Sequence, residues 1–341
     1  TSLQADKLDK LDQLLLDPNG DRRSLLVNLA REMGMLRETS NGVRPTRTAV
    51  DWLKQSREAQ LRALADAWSR SGWNELRRTP GLQCEGEQWQ NDPIAARSAL
   101  LDVLPRTTDW YSLTELIAHI CETNPDFQRP DGDYDNWYIR DVETDNYITG
   151  FENWNRVEGR LLAFLVQSPL HWLGLTVTVK TADGTLYQLT DRALEWLQEL
   201  PTSPDEVRVP LVIQGDGILI APHNADRYQR FQAARISEPD AVQPGKPFAY
   251  RLTPQSLSRA KEEGITPERV LQFLEAATGR PVPAGVKRGI NRWAERGVEG
   301  RLETAVILRV REPGILDTLR NNSKTRDYIG ESLGEMSAMV R

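Results

Sequence analysis

The chain has 341 residues, which is enough for two or three domains at roughly 100–200 residues each. Hydrophobic residues make up 39% and charged residues 27%, as in an ordinary soluble globular protein. The two cysteines and three histidines exclude disulfide frameworks and cysteine-rich zinc modules, and they favour the reducing cytoplasm. The sequence begins without Met or a signal pattern, so we expect it to be cut from a longer protein.

Charge is distributed unevenly along the chain. Residues 205–341 contain 21 Lys and Arg against 18 Asp and Glu, whereas residues 1–204 contain 22 against 31. Because nucleic acid is contacted by basic surfaces, the last third is the better candidate for such a contact. The segment Pro201–Pro204 lies at the change of charge and predicts a domain edge there.

An internal repeat links two distant parts of the chain. Residues 46–53 and 190–197 share the pattern Thr-x-x-Ala-apolar-acidic-Trp-Leu. Each copy is preceded by an apolar helix, a glycine and a predicted hairpin, with Asn41-Gly42 or Asp183-Gly184 at the turn. These dipeptides favour a type I′ turn, in which both central residues have positive φ.

The repeat predicts two winged-helix units, because a winged helix consists of a helix followed by a two-stranded hairpin, the wing. Thr46 and Thr190 are suited to cap the helices that follow. We expect Trp52 and Trp196 to be equivalent core residues under their wings. In the second copy, Ser112–Cys121 has apolar residues at helical spacing and predicts the leading helix.

The last third has a different pattern, with short apolar strands around Gly215-Asp216-Gly217 and helix starts at Thr253-Pro254 and Thr266-Pro267. Tyr250–Leu257 reads Y-R-L-T-P-Q-S-L and Gly264–Val270 reads G-I-T-P-E-R-V. With these motifs, residues 205–341 resemble the N-terminal domain of XPB/Ssl-type DNA helicases. Winged helices ahead of such a domain look like the TFIIH subunit that recruits XPB, and this resemblance implies a helicase as partner.

The predicted fold class is therefore α+β, with tandem winged-helix domains followed by a small mixed α/β domain like the XPB N-terminal domain. We expect a first winged helix with a helical connector at 1–80. A second winged helix with an aromatic-rich insertion is predicted at 81–204, and the XPB-like domain at 205–341.

No residue pattern in the chain predicts catalysis, a cofactor or a metal ion. A Gly-x-x-x-x-Gly-Lys-[Ser/Thr] loop is absent, so we expect no ATP hydrolysis. Asp131–Asp135 begins like a calcium loop, but Asn136 and Val142 occupy the positions that need Gly and Glu, which favours a solvated loop. His119 and Cys121 do not share a helix face, and a core thiol is the simpler interpretation.

Aromatic residues are concentrated between Trp110 and Trp172. Stacking on single-stranded bases is one interpretation, but such platforms need a positive groove and this stretch is rich in Asp and Glu. A packed insertion or a protein interface is favoured instead. The segment Leu161–Val166 is apolar nearly all round and predicts a buried helix rather than one that reads DNA.

A helix predicted from about Ala284 to Gly297 has an apolar face and a basic face. Val286, Ile290 and Trp293 form the apolar face at helical spacing. The other side carries three arginines spaced four apart, which we call the arginine stripe, and basic neighbours flank it. The predicted nucleic-acid or partner contacts are the stripe residues Arg288, Arg292 and Arg296 with Arg280, Lys287 and Arg301.

These observations favour a cytoplasmic, non-catalytic helicase-associated module of a DNA repair or transcription system, with a helicase partner and double-stranded DNA as its expected contacts. The alternative is a DNA-binding winged-helix protein that contacts duplex phosphates without sequence specificity. An enzyme with an unrecognised site is a third hypothesis, and no motif supports it.

Overall fold

The computed structural model describes residues 15, 17–39, 42–86, 89–129, 131–202, 207–296 and 306–340. The described residues mix helices with small sheets, which confirms the predicted α+β class. The chain divides into two compact units, 1–287 and 288–341. The domain borders at 80 and 204 stay predictions. Within the described ranges, no helix is both long and apolar enough to cross a membrane.

The first segment is a helix and a hairpin followed by two helices. Its elements are α1 (Gly20–Glu32), β1 (Leu36–Thr39), β2 (Gly42–Pro45), α2 (Arg47–Lys54) and α3 (Arg57–Arg70). Strands β1 and β2 pair antiparallel. Polar caps set the helix starts: the side chains of Asn19 and Ser56 accept hydrogen bonds from backbone amides of α1 and α3.

The second segment contains the second copy of the repeat. Its elements are β3 (Leu82–Cys84), α4 (Pro93–Val103), β4 (Trp110–Ser112), α5 (Leu113–Thr123), β5 (Ile139–Asp141), α6 (Arg160–Gln167), α7 (Pro169–Trp172), β6 (Thr176–Thr181), β7 (Gly184–Leu189) and α8 (Asp191–Leu197). A π-helical turn leads into α6. The strand order β4-β7-β6 is antiparallel throughout, and β3 pairs with β5. Helix α5 confirms the leading helix predicted over Ser112–Cys121.

The two repeat copies make the same local hydrogen bonds. The Thr46 hydroxyl donates to the Gly34 carbonyl at 2.7 Å, and the Thr190 hydroxyl donates to the Gly174 carbonyl at 2.8 Å. Each hydroxyl also accepts from the amide three residues later, at 3.4 and 3.2 Å. Both glycines have positive φ, 67° and 73°. The repeated pattern therefore encodes one repeated structure, and both threonines are the predicted caps.

Trp52 and Trp196 occupy related but only half-buried positions. The Trp52 indole donates to the Gln60 carbonyl at 3.2 Å, and the Trp196 indole donates to the Asp66 carboxylate at 2.8 Å. Both acceptors belong to α3. The two repeats thus place their tryptophans on the same helix, and neither indole is the fully buried core residue that was expected.

The second hairpin corrects the predicted turn type. Gly184 pairs with Thr181, so Ala182 and Asp183 form the loop. Gly184 has φ 130°, but neither loop residue has a positive φ, so the type I′ prediction is wrong here. The glycine instead takes the positive φ at the start of β7, where a side chain would be strained. Gly42 does the same at φ 114° in the first hairpin, whose Asn41 lies outside the described residues.

The last third contains the strands predicted around Gly215-Asp216-Gly217 and the helices predicted to start at Thr253-Pro254 and Thr266-Pro267. Its elements are β8 (Val212–Ile213), β9 (Ile218–Ala221), α9 (Arg227–Ile236), β10 (Glu238–Pro239), β11 (Phe248–Arg251), α10 (Pro254–Glu262), α11 (Pro267–Thr278), α12 (Ala284–Arg296), β12 (Val306–Arg309), α13 (Pro313–Asn321), β13 (Ile329–Gly334) and β14 (Ser337–Val340). The sheets have the orders β10-β11-β9-β8 and β12-β14-β13. Thr253 and Thr266 cap helices that start with Pro, as predicted.

A continuous apolar core joins the first two segments. Trp68 of α3 and Leu161 of α6 are fully buried in it, so α3 belongs to the core and is more than a connector. Cys121 packs against the same core, as predicted for a structural thiol, and burial raises its pKa. The described core also contains buried ion pairs, Arg97 with Glu75 and Arg129 with Glu158.

Candidate nucleic-acid and partner-binding surfaces

Helix α12 carries the arginine stripe on the side predicted from the sequence. Val286 and Ile290 are buried, at 6% and 1% exposure, and Trp293 is half-buried. Arg288 and Arg292 are exposed. Because residues four apart lie on one helix face, these guanidinium groups stand one turn apart on the solvent side. The predicted division into an apolar and a basic face is confirmed for these five residues.

The flanking cations of the predicted contact set are placed only in part. Lys287 and Arg280 are exposed. The side chain of Arg296 and the whole of Arg301 lie outside the described residues. Nothing in the structure tests what these residues contact, so their contact role stays a prediction.

A second basic feature, missed in the sequence, is a cleft of about 730 Å³ within residues 1–287. It lies where the α2–α3 elbow meets α8 and the chain leading into α9. Since it draws arginines from three separate segments, no local pattern reveals it. The described lining of this arginine cleft includes the cations Arg57, Arg192, Arg208 and Arg227 and the carboxylates Glu58 and Asp226.

Ion pairs across the cleft hold these segments together. Arg192 donates from Nε and Nη2 to the two carboxylate oxygens of Glu58, at 2.5 and 2.8 Å. Arg208 pairs with Asp226 and also donates to the Gln55 carbonyl at 3.3 Å. A bidentate Arg–carboxylate pair fixes the geometry of both partners. These ion pairs therefore fix the relative positions of the segments that line the cleft.

Arg57 lies among other charged groups of the cleft. Its pKa is lowered to about 10, first by desolvation and then by the guanidinium groups of Arg227 and Arg192, with a smaller effect from Arg230. Glu58 opposes this shift. The side chain is exposed, so the desolvation comes from the concave walls around it rather than from full burial. Arg57 nevertheless stays charged at neutral pH.

The aromatic stretch is only partly buried, since Trp110, Tyr138, Tyr147 and Phe151 are exposed. Trp137 is buried and stacks on Trp89 with ring centroids 4.8 Å apart. The Arg129 guanidinium lies over Trp137 at 4.1 Å, and Tyr134 and Trp154 are also buried. These buried rings cannot stack on bases, and the role of the exposed rings stays a prediction.

The acidic loop at Asp131–Asp135 uses its side chains locally. The Asp133 carboxylate accepts from the Asp135 amide at 2.8 Å, and the Tyr134 hydroxyl donates to Asp126 at 2.6 Å. Across the described ranges, no group of three or more His, Cys, Asp or Glu is placed to hold a metal ion. The observed contacts are those of a solvated loop that caps its own turn.

Helix α6 is buried, as its composition predicts. The buried residues are Leu161, Leu162, Phe164, Leu165 and Val166. Reading DNA bases requires polar side chains on an exposed face. This helix therefore lacks the surface that a recognition helix needs.

A comparison with known families gives a match to part of the chain. Residues 211–334 match the family described as helicase conserved C-terminal domain. We found no match among curated proteins. The matched segment begins directly before β8, includes α12 with the arginine stripe and ends in β13, so the similarity to this family is confined to this part of the chain. The match does not extend to the two repeats.

Proposed function

We propose that this chain is a non-catalytic, cytoplasmic helicase-associated module of a DNA repair or transcription system, which binds a helicase partner and DNA. The match of residues 211–334 to a helicase C-terminal domain family carries the proposal. The resemblance of Tyr250–Leu257 and Gly264–Val270 to XPB-type helicases supports its finer part.

The arrangement of the second repeat supports a winged-helix interpretation. Helix α4, strand β4, and helices α5 and α6 precede the β6–β7 hairpin, and β4 pairs with β7 in the same sheet. The first repeat contributes a helix, a hairpin and the same capping bonds. We interpret both repeats as winged helices that present the helicase-related segment to its partners.

The arginine stripe is the surface that we assign to partner or DNA contact. Exposed arginines contribute little to folding, and their planar guanidinium groups suit phosphate or carboxylate oxygens. The stripe also lies inside the helicase-related match. Its target is either DNA phosphate or an acidic patch on the helicase.

The second candidate function is a winged-helix protein that binds duplex DNA directly. The exposed arginines favour phosphate contacts, whereas the buried α6 disfavours base reading. Phosphate contacts release counterions, so affinity for DNA would fall steeply with salt. Binding to a helicase without a salt-dependent DNA affinity would favour the first function.

Charge reversal of the stripe is the test of this assignment. We expect the triple variant Arg288→Glu, Arg292→Glu, Arg296→Glu to fold normally but to bind DNA or the helicase partner more weakly. If DNA is the target, the slope of log affinity against log salt should fall by about one for each lost phosphate contact. Fluorescence anisotropy with duplex DNA would measure the binding of DNA. Affinity capture, followed by identification of the captured protein, would measure the binding of a helicase.

The matched control for this experiment reverses three other cations of the same segment, Arg311, Lys324 and Arg326, which are exposed. This variant changes the net charge equally. Equal losses in both triple variants would show a general charge effect, and unchanged binding in the stripe variant would remove the stripe from the proposal.

The non-catalytic part of the proposal has its own test. We expect the purified chain to show no nucleotide hydrolysis, because its sequence has no phosphate-binding loop. A coupled ATPase assay with and without DNA measures this. Stoichiometric hydrolysis that follows the chain through successive purification steps would overturn the expectation.

A further inference from the structure

The first hairpin, β1–β2, presents two arginines side by side. Arg37 of β1 lies directly opposite Arg44 of β2 in the antiparallel register, so both side chains are on one face of the hairpin. Both arginines are exposed. Neither guanidinium group has an ion pair or a hydrogen bond within the described ranges of the chain. We call these two residues the hairpin arginine pair.

The hairpin arginine pair is unfavourable for the folding of the hairpin itself. Directly opposite side chains in an antiparallel pair have their Cβ atoms about 4.5–5.5 Å apart, and like charges at this separation are destabilising. The neighbouring carboxylate, Glu38, lies on the other face because successive side chains of a strand alternate. There it pairs with Arg31 of α1 at 3.4 Å. The arginine pair therefore keeps its repulsion in the folded chain.

The two hairpins can be compared position by position, because they close their loops in the same way. In the first hairpin Thr39 pairs with Gly42, and the Thr39 hydroxyl donates to the Gly42 carbonyl at 2.7 Å. In the second hairpin, β6–β7, Thr181 pairs with Gly184, and its hydroxyl donates to the Gly184 carbonyl at 2.9 Å. These Thr–Gly pairs are therefore equivalent, and positions can be counted outward from them.

The second hairpin shows that this structure does not require the arginines. Two residues outward from the closing pair, the first hairpin has Arg37 opposite Arg44. At the same place the second hairpin has Val179 opposite Leu186. The hairpin of one repeat thus forms with an apolar pair where the other has two cations. Because the arginine pair destabilises the hairpin and is not needed to build it, it points to a contact outside the chain.

We propose that the hairpin arginine pair binds backbone phosphates of duplex DNA. Guanidinium groups form charge-assisted, often bidentate hydrogen bonds with phosphate oxygens. A two-stranded β-ribbon is narrow enough to enter the major groove of B-DNA, which is about 12 Å wide. Each strand of the hairpin supplies one guanidinium group, so the pair contacts two phosphates. The negative charge of these phosphates offsets the repulsion between the arginines.

The choice of DNA over an acidic protein surface rests on the proposed function, in which the chain contacts DNA. Phosphate contacts fix the orientation of a protein on a duplex without reading its sequence. This agrees with the buried α6, which offers no base-reading face. The hairpin arginine pair lies outside the matched residues 211–334 and is separate in sequence from the arginine stripe on α12. The two surfaces are therefore tested separately.

The test compares two double variants that remove the same charge from exposed side chains. The hairpin variant is Arg37→Gln, Arg44→Gln. The control variant is Arg106→Gln, Lys180→Gln, which changes exposed cations of the second segment. Lys180 belongs to β6, so the control also removes a cation from the second hairpin. Both variants are made in the full chain, and circular dichroism verifies that they fold.

A labelled duplex oligonucleotide is the probe, and fluorescence anisotropy measures its affinity over a range of salt concentrations. We expect the hairpin variant to bind about tenfold more weakly and to lower the salt slope by about two, one for each lost phosphate contact. The control variant should bind as the wild type does. The melting temperature of the hairpin variant should be unchanged or higher, because the repulsion between like charges is removed.

A further variant keeps the test decisive if the glutamine variant fails to fold. The change Arg37→Val, Arg44→Leu copies the apolar pair of the second hairpin and should lose the same affinity. Wild-type affinity for the duplex in a folded variant of the hairpin would overturn the inference. Equal weakening in the hairpin and control variants would also contradict it, since it shows a general charge effect. If polyglutamate binds in a hairpin-dependent manner while DNA binding is unchanged, the ligand is an acidic protein surface and the inference fails.

Failure of this inference and failure of the proposed function give different results. Where only the stripe variant weakens DNA binding, the hairpin inference fails and the proposed function stands. A wild-type chain that binds no duplex DNA refutes the hairpin inference, and affinity capture of a helicase then decides the proposed function.

Discussion

Replacement of Arg97 by Met is expected to lower the free energy of unfolding by about 3–5 kcal/mol, because it leaves a buried carboxylate without its counter-ion. The Arg97 and Glu75 side chains are only 1% and 2% exposed. Arg97 donates to both oxygens of Glu75 at 2.8 Å, and to the carbonyls of Ser71 and Trp73. The Trp68 indole completes the network by donating to Glu75 at 2.8 Å.

Chemical denaturation followed by tryptophan fluorescence measures this loss. Arg47→Met is the control, since Arg47 pairs with Asp51 at 3.8 Å on an exposed surface and its loss should change stability by less than about 1 kcal/mol. Adding Glu75→Leu to Arg97→Met should recover part of the loss, because the unpaired charge is then absent. A loss below about 1 kcal/mol for Arg97→Met would contradict the network's role.

The local structure of this chain was predictable because short patterns determine it. Thr46 and Thr190 cap their helices with matching hydrogen bonds, and Thr253-Pro254 and Thr266-Pro267 start helices as expected. Such caps depend on backbone groups within a few residues. The turn type was mispredicted because the Asp-Gly pair fits more than one register, and only the strand pairing of Gly184 with Thr181 selects one.

The tertiary features were not predictable, since they join residues far apart in sequence. Glu58 and Arg192 are 134 positions apart, so no spacing rule would pair them or place Arg57 beside them. The role of α3 was missed for the same reason. Its residues Gln60 and Asp66 accept from tryptophans of the two repeats, a relation that only the folded chain shows. The stripe on α12 was found because it lies on one helix.

The buried ion pair of Arg129 and Glu158 leads to a prediction about how the stability of the protein depends on pH. The side chains of Arg129 and Glu158 are 3% and 1% exposed, and Arg129 Nε donates to Glu158 at 2.6 Å. Burial raises the pKa of Glu158, and the Arg129 guanidinium opposes this. Gln128 donates a weaker bond at 3.3 Å. Without the cation, Glu158 would be an ionised group in the core with little to stabilise it.

Arg129→Met is therefore expected to lower the free energy of unfolding by about 3–5 kcal/mol at neutral pH. The variant removes the guanidinium that opposes burial, so the folded-state pKa of Glu158 should rise further above its ordinary value of 4.5. The folded variant then binds a proton that the unfolded chain releases. Its stability should be greatest below pH 4.5 and should fall as the pH rises through the folded-state pKa.

Urea denaturation between mildly acidic and neutral pH separates the effect of the Glu158 charge from that of lost packing. The proteins compared are the wild type, the single variant Arg129→Met, and the double variant that combines Arg129→Met with Glu158→Gln. Arg129 also covers Trp137, so part of the loss should be independent of pH and should persist in the double variant. The part due to Glu158 should vanish there, because glutamine does not titrate. If Arg129→Met and the double variant had the same pH dependence, the buried charge would not be the cause of the instability, and lost contact with the Trp137 ring would account for it.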